Sequence, residues 1–248
     1  IDTVQAALHG CGDHITIIKD SIVQPKAYCR ARYRSNMTEE WILPREGTPS
    51  DPLRLAVLIS GSGSGMEALL LHQESKDCLH VTNVVISDRE GIAGLEKAQK
   101  HDVTSVVVPL PDIENKDERR LLHEQEVNEV LADYGIEAII LSGYMRILSP
   151  SFVKPWAGRL LNIHPSLLPE FPGAHAHRDA IKAGVTKSGC TVHFVDSGMD
   201  TGPIIAQQEV TVLHTDDENS LSEKVKLKEH ILYPKVIDLI ASGNVESP

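Results

Sequence analysis

From Arg54 onward, short apolar segments rich in β-branched residues alternate with helical patterns. The apolar segments are LRLAVLIS, HVTNVVISD, TSVVVPL, EAIILSGY and RLLNIH, and the helical patterns between them include MEALLLHQE, GIAGLEKAQKHD and RRLLHEQEVNEVLADYG. Strands that alternate with helices are typical of a parallel sheet covered on both faces. The sequence therefore predicts an α/β fold with a mostly parallel sheet and helices on both faces.

The alternation weakens after His164. TVHFVD and IIAQQEVTV are predicted to be antiparallel or mixed strands, and SLSEKVKLKEHILYPKVIDLIAS is predicted to close the chain as an amphipathic helix.

The first 50 residues differ from the rest, and EGTPSDP (46–52) has the composition of a linker. We therefore predict an N-terminal extension of unassigned role over residues 1–50 and a single domain over residues 51–248. Within the extension, TVQAALHG suggests a helix and HITIIKD a strand, while AYCRARYR would place three arginines on one strand face, either solvated or binding an anion. Because the chain begins at Ile1, we expect a fragment, a processed form or the tail of a longer fusion.

Composition limits the class of protein. The formal charge is −11, which disfavours nucleic acid as a partner, and no stretch has the apolar length of a membrane helix or the pattern of a signal peptide. The four cysteines form no C-x-x-C pair, which argues against a zinc site or a disulfide framework and favours a cytoplasmic protein with reduced thiols. They are Cys11, Cys29, Cys78 and Cys190.

A glycine-rich loop, GSGSG (61–65), lies between the first strand of the α/β pattern and its helix. Ligands bind at the carboxyl ends of parallel strands, and a helix N-terminus offers amides and a positive dipole end to a phosphate. The loop is neither the dinucleotide fingerprint nor a Walker motif. It could equally be a tight turn that binds nothing.

Two polar residues stand two positions apart in the apolar segment LNIHPSLLPEF. In a strand, Asn162 and His164 would share one face. Such a pair can simply satisfy backbone groups. The presence of His175, His177 and Asp200 farther along the chain favours a catalytic site instead. Asn can polarise a carbonyl, His can move a proton, and a carboxylate can orient the His.

The set lacks a nucleophile, because no G-x-S-x-G elbow surrounds Ser166 and no cysteine stands beside a histidine in a protease-like context. A metal is also disfavoured, since H-x-H alone is a weak signal, and we expect His175 and His177 to be structural or to shape the substrate site.

GSGSGMEALL, LSGYMRILSP, LLNIHPSLLPEFPGAHAHRDA, GCTVHFVDSGMDTGPIIAQQEV and KLKEHILYP occur in the order and at the separations of the glycinamide ribonucleotide formyltransferase family, which the chain resembles over about residues 53–245. The resemblance implies the formyltransferase fold, a Rossmann-like sheet, and transfer of the formyl group of 10-formyltetrahydrofolate, without a metal, to the amine of glycinamide ribonucleotide in purine synthesis. It implies small-molecule substrates and no nucleic-acid or membrane partner, with a homodimer or a fusion to other purine-pathway domains as forms of assembly.

The resemblance also implies roles for individual residues. The catalytic trio would be Asn162, His164 and Asp200. The remaining ligand contacts would be Gly63, Ser64, Gly65, Lys226 and Glu229 for the phosphate and ribose, Gly143 and Met145 for the glycinamide end, and Arg146, Ile147, Leu148, Val153 and Gly173 for the folate.

One position departs from the family, which usually has asparagine where Gly65 stands. The amide that would contact phosphate survives, while a side-chain hydrogen bond is lost and the loop gains freedom. We expect weaker preorganisation and the same reaction.

Three alternatives share parts of this pattern. A 10-formyltetrahydrofolate hydrolase resembles the chain in the trio, but that family has a longer N-terminal domain and a second histidine where Pro165 stands. Methionyl-tRNA formyltransferase would need a further C-terminal tRNA-binding domain, and the acidic net charge of the chain also disfavours it. A non-catalytic nucleotide-binding module on the same fold would be expected to lack part of the trio.

Overall fold

The computed structural model describes residues 22–23 and 40–248 of the chain. The predicted helix TVQAALHG, the predicted strand HITIIKD and the arginines Arg30, Arg32 and Arg34 lie outside the described residues. In chain order the elements are β1 (Ile22–Val23), β2 (Leu53–Ile59), α1 (Ser64–Gln73), β3 (His80–Ser87), α2 (Ala93–Lys100), β4 (Ser105–Val107), α3 (Lys116–Asp133), β5 (Ala138–Leu141), α4 (Pro150–Val153), a 3-10 turn (Lys154–Trp156), β6 (Leu160–His164), α5 (Ala176–Ala183), β7 (Lys187–Phe194), β8 (Ile204–Thr211) and α6 (Glu218–Ala241).

These strands form one sheet in the order β1-β8-β7-β6-β5-β2-β3-β4. β4, β3, β2, β5 and β6 are parallel to their neighbours, whereas β7, β8 and β1 continue the sheet antiparallel. The predicted α/β fold, the change to antiparallel strands after His164 and the closing helix are thereby confirmed. Because β6 lies where the two halves meet, its carboxyl end is bordered by loops from both.

The central strand β2 is buried on both faces from Leu55 to Ile59, which explains the unbroken apolar sequence of these five residues. Leu55, Val57 and Ile59 belong to the core cluster that includes α1 and α6 side chains, whereas Ala56 and Leu58 pack with side chains of α3 on the other face.

α6 is tied to the centre of the sheet by a buried tyrosine. The hydroxyl of Tyr233 lies 3.0 Å from the carbonyl oxygens of both Leu141, the last residue of β5, and Leu161, the second residue of β6. This contact fixes the helix against the two strands that lead into the candidate site.

Residues 40–52 run along the surface of the same body. The ring of Trp41 lies 5.8 Å from that of Phe194, and the amide of Ile42 donates to Ala157 O at 3.0 Å. Arg45 donates to the carboxylate of Glu137 at 2.6 and 3.0 Å. The segment that leads into the predicted linker is therefore packed against the domain, and the division at residue 50 stays a prediction. No helix in residues 40–248 is long and apolar enough to cross a membrane.

Candidate active site

The carboxyl end of β6 carries Asn162 and His164. Asn162 faces His193 of β7 in the strand register, and His164 faces Thr191. Asn162 is partly buried, and His164 is only 4% exposed. Two polar side chains are thus held where the parallel and antiparallel halves of the sheet meet.

Asn162 is oriented by His193, a residue that the sequence interpretation did not select. His193 Nδ1 lies 2.8 Å from the carbonyl oxygen of Phe194, and because a carbonyl can only accept, Nδ1 must carry the hydrogen. In the neutral ring Nε2 then accepts from Asn162 Nδ2 at 3.2 Å. Burial lowers the pKa of His193 and keeps the ring neutral, although the neighbouring Asp200 carboxylate opposes this shift.

The imidazole of His164 is held at both nitrogens. Nε2 donates to the carbonyl oxygen of Phe171 at 2.9 Å, so this nitrogen carries a hydrogen. Nδ1 lies 3.4 Å from Asp200 Oδ2. When Nδ1 also carries a proton, the imidazolium ion faces a carboxylate that stabilises its charge.

Asp200 joins the loop after β7 to the turn after β6. Its backbone φ is 53°, in the left-handed region that aspartate tolerates better than most residues. Its Oδ2 accepts from the amide of Gly173 at 2.8 Å, and its Oδ1 lies 3.8 Å from His193 Nε2. One carboxylate therefore contacts both histidines and the predicted folate-side residue Gly173.

Ser166 lies next to this group but is committed elsewhere. It is fully buried, and its hydroxyl donates to the carbonyl oxygen of Glu170 at 2.5 Å. The hydroxyl holds the turn after β6 and is not presented to a substrate, which agrees with the absence of a nucleophile elbow.

The glycine-rich loop opens directly into α1. Gly63 precedes the helix with φ 65°, and no side chain caps the first turn. A Cβ on Gly63 would lie 2.7 Å from the Cα of Gly94, and the amide of Gly94 donates to Gly61 O at 3.1 Å. Two backbones therefore meet in close contact here, and Gly94, at the start of α2, is a second glycine that the loop requires.

α6 brings Lys226 and Glu229 one turn apart on the side of the sheet that carries α1. Lys226 pairs with Glu223. Burial raises the pKa of Glu229 to about 7, although the charge of Lys226 opposes the shift. His177 of α5 lies near enough to Lys226 and His164 for their charges to affect it; its Nδ1 is buried with no hydrogen-bond partner among the described residues, and burial lowers its pKa.

The loop after β5 forms the opposite side of the site. Gly143 has φ 69°, with open space where a Cβ would lie, and the amide of Met145 donates to Ser60 Oγ at 2.9 Å. Met145 is 59% and Ile147 68% exposed, which leaves apolar surface beside the site. Leu148 is partly buried and Val153 is a core residue of α4, so of these predicted folate contacts Val153 presents the least surface.

Arg146 is anchored by a buried carboxylate that the sequence interpretation missed. Its Nε donates to Asp88 Oδ2 at 2.6 Å, and Arg89 contacts the same carboxylate at 3.1 and 3.2 Å. Burial would raise the pKa of Asp88, but its hydrogen bonds to Arg89, Ser60 and Arg146 outweigh burial and hold that pKa below its ordinary value. SDRE after a strand offered a signal, since a carboxylate at a strand's carboxyl end faces the same edge as Asn162.

The Rossmann-like sheet and the polar groups at its carboxyl edge define a class of α/β protein. Comparison with known proteins identifies the family within that class. The sequence pattern of the formyl transferase family matches residues 53–237, and the chain belongs to this family.

Within the family, the chain is similar to phosphoribosylglycinamide formyltransferases. It is 37% identical over 196 residues to the Escherichia coli phosphoribosylglycinamide formyltransferase, covering 78% of this chain and 90% of that protein. A crystal structure of glycinamide ribonucleotide transformylase 1 from Symbiobacterium toebii aligns with a TM-score of 0.73 at 39% identity, covering 77% of this chain and 89% of that one.

The chain is also similar to much longer proteins. It is 42% identical over 193 residues to the human trifunctional purine biosynthetic protein adenosine-3, covering 78% of this chain. It spans 19% of the length of that relative and 14% of its Drosophila pseudoobscura counterpart, which is 44% identical over 192 residues.

Proposed function

We propose that the protein transfers the formyl group of 10-formyltetrahydrofolate to the amine of glycinamide ribonucleotide, a step of purine synthesis in the cytoplasm. The observation that carries this proposal is the grouping of Asn162, His164 and Asp200, beside which the neighbouring hydroxyl of Ser166 is committed to Glu170 O. An acyl transfer in which the substrate supplies the attacking amine needs oxyanion stabilisation and proton movement only. The similarity to phosphoribosylglycinamide formyltransferases supports the choice of substrates.

In the proposed reaction the amine nitrogen forms a bond to the formyl carbon, and the C=O electron pair moves onto oxygen. Asn162 has two hydrogens on Nδ2, of which one is held by His193 and the other is free to donate to that oxygen. The intermediate then expels the folate nitrogen, which takes up a proton as the amine loses one. The positive charge of a protonated His164, balanced by Asp200, stabilises the oxyanion, and Nδ1, which lies 3.4 Å from Asp200 Oδ2, is the nitrogen that serves this proton transfer because Nε2 stays bonded to Phe171 O.

The two substrates would meet at Asn162 from opposite sides. The phosphate of the ribonucleotide binds the amides of the glycine-rich loop over Gly63, Ser64 and Gly65, at the uncapped N-terminus of α1. Lys226 adds charge to the phosphate, and Glu229 accepts from the ribose.

Gly143 and Met145 line the glycinamide end, and the folate lies along the loop after β5 and the turn at Gly173. Arg146, Ile147, Leu148 and Val153 are proposed to shape that pocket. Asp88 would hold the guanidinium of Arg146 in place.

The function is tested by mixing the full chain with both substrates while following folate absorbance and formylated product. We expect folate conversion to require glycinamide ribonucleotide in one-to-one proportion. Folate consumption that proceeds equally without the ribonucleotide and releases formate would refute the transferase and establish a hydrolase.

We further propose that residues 51–248 form the catalytic domain and that residues 1–50 are an appended segment. The family match from residue 53 supports this division, whereas the contacts of residues 40–50 with the domain imply that the segment is partly docked. Limited proteolysis tests this division of the chain. We expect cleavage within EGTPSDP before any cleavage in the domain, and we expect the larger product to retain the rate of formyl transfer.

A further inference from the structure

Four metal-ligating side chains converge at the end of the sheet opposite to the candidate active site. His80 is the first residue of β3, His72 lies near the end of α1, Cys78 lies in the turn between them, and Asp238 belongs to α6. Their ligand atoms all lie within 4.8 Å of one another. His72, Cys78 and His80 lie close together in sequence, whereas Asp238 lies 166 residues from His72. The absence of a C-x-x-C pair argued against a zinc site, but the fold adds a distant carboxylate to this segment, and we call the four residues the HHCD cluster.

The contacts in the HHCD cluster centre on the Asp238 carboxylate. Nε2 of His72 lies 2.9 and 3.0 Å from its two oxygens, and Nε2 of His80 lies 3.0 Å from Oδ1. The two imidazole rings are nearly parallel, 5.9 Å apart with 13° between their planes. Both histidines therefore aim the same nitrogen at one point.

We propose that the HHCD cluster binds a zinc ion through His72 Nε2, Cys78 Sγ, His80 Nε2 and one oxygen of Asp238. Two imidazoles, a thiolate and a carboxylate are donors that zinc accepts in tetrahedral sites. The thiolate and the carboxylate together balance the charge of a divalent ion. Zinc bonds of about 2.0 to 2.3 Å place tetrahedral ligand atoms roughly 3.3 to 3.8 Å apart, so the shortest contacts must lengthen and the widest must close by about 1 Å.

The accessibility of the cluster suits an ion that enters from solvent. The side chains of His72 and Asp238 are 37% and 41% exposed, whereas that of His80 is fully buried. Cys78 is half-buried, and its thiol donates to the backbone oxygen of His80 at 3.3 Å.

The hydrogen bonds of Gln73 show which hydrogens must move when zinc binds. Its Oε1 accepts from the amide of Thr82 at 3.1 Å, which leaves its Nε2 to donate to His80 Nδ1 at 2.8 Å. Without metal, the hydrogen of His80 is therefore on Nε2, where it bonds to Asp238. On zinc binding this hydrogen moves to Nδ1, so the hydrogen bond from Gln73 Nε2 is lost. The hydrogen of His72 likewise leaves Nε2, and the Cys78 thiol releases its proton to solvent.

The placement implies a structural role. α1 begins at the proposed phosphate loop and α6 carries the proposed ribonucleotide contacts Lys226 and Glu229. A metal shared by His72 and Asp238 would join these two helices at their far ends. The metal would thereby stabilise the pair of helices that forms the ribonucleotide site, without contacting substrate.

The test is a titration of the purified full chain with zinc in competition with a coloured chelator, together with cobalt(II) as a spectroscopic probe. The wild type is expected to bind one equivalent, to give a thiolate-to-cobalt charge-transfer band and to unfold at a higher temperature with zinc. Cys78→Ser should lose that band, and both Cys78→Ser and His72→Gln should bind zinc at least about tenfold more weakly. These residues are partly exposed, so far-UV circular dichroism should show intact folds.

Two further variants sharpen the test. Gln73→Glu offers an acceptor to both Thr82 and the Nδ1 hydrogen of His80, so it should bind zinc more tightly than the wild type. His214→Gln, an exposed histidine outside the cluster, should bind like the wild type. A wild type without stoichiometric binding, cluster variants that bind like it, or a Gln73→Glu variant that binds no tighter would overturn the four-ligand site.

Discussion

Nε2 of the buried His193 accepts a hydrogen bond from Nδ2 of Asn162 at 3.2 Å, so a histidine outside the predicted trio fixes the orientation of the Asn162 amide. The hydrogen that His193 Nδ1 gives to Phe194 O leaves the other ring nitrogen able only to accept. The amide nitrogen of Asn162 consequently faces His193, and its second hydrogen is the one that we propose donates to the formyl oxygen.

Asn162→Asp tests this relationship with a side chain of nearly the same shape. A carboxylate cannot donate to His193 or to an oxyanion, so kcat should fall on the order of a hundredfold or more, with KM for the ribonucleotide little changed. Steady-state kinetics measure the effect, and Asn128→Asp on the exposed face of α3 is the control. Equal kcat in both variants would remove Asn162 from the mechanism.

Asp200→Asn separates the charge of Asp200 from its structural role. Asparagine tolerates the positive φ of this position, and its Oδ1 can still accept from Gly173. The fold should persist, whereas turnover should fall by about a hundredfold or more because His164 loses its counter-charge. Asp196→Asn, the same change in the same loop, should retain activity; a loss of equal size in both variants would point to loop structure instead.

Gly63→Ala and Gly91→Ala compare two glycines with the same φ of 65°. A methyl group at Gly91 meets no atom within 4 Å, while at Gly63 it would lie 2.7 Å from Gly94 Cα. Both variants incur backbone strain of about 1 kcal/mol or more, but only Gly63→Ala must also move the phosphate loop. In urea unfolding, Gly63→Ala should therefore lose more stability than Gly91→Ala, and its KM for the ribonucleotide should rise more. Equal changes in the two variants would contradict the close contact.

Gly65 and Ser142 should be energetically coupled. A Cβ on Gly65 would lie 2.7 Å from Ser142 Oγ, so restoring the family's asparagine crowds this hydroxyl. Gly65→Asn alone should weaken stability or ribonucleotide binding, and adding Ser142→Ala should recover most of the loss. A double-mutant cycle should give a coupling of about 0.5 to 3 kcal/mol; additive effects would show that the two positions are independent.

The partly buried Glu229 should make stability depend on pH. Its pKa is raised from 4.5 to about 7 by burial, so the unfolded chain releases this proton at lower pH than the folded chain does. The free energy of unfolding should therefore fall as pH rises from about 4.5 through about 7. Chemical denaturation should show that Glu229→Gln lacks this part of the fall, a difference on the order of 1 to 3 kcal/mol. If the free energies of unfolding of the wild type and Glu229→Gln changed in parallel with pH, this role of Glu229 would be contradicted.

Most of the fold was predictable because local patterns and global packing agree. β2 is buried on both faces from Leu55 to Ile59, so this part of its sequence is uninterrupted and apolar, and α6 buries apolar residues along its whole length. Side-chain alternation in β6 likewise predicted that Asn162 and His164 emerge together. These are properties of residues close in sequence. The sequence by itself therefore determined the α/β class, the succession of strands and helices along the chain and the candidate trio.

Tertiary structure alone decided the partners of those residues. His193 reaches Asn162 because β7 runs antiparallel to β6. Asp88 reaches Arg146 because β3 and β5, which precede these residues, both flank β2 and end at the same edge of the sheet. The HHCD cluster likewise depends on α6 returning past the beginning of β3. Contacts between distant segments follow from strand order and helix packing, which the spacing of residues along one chain does not encode locally.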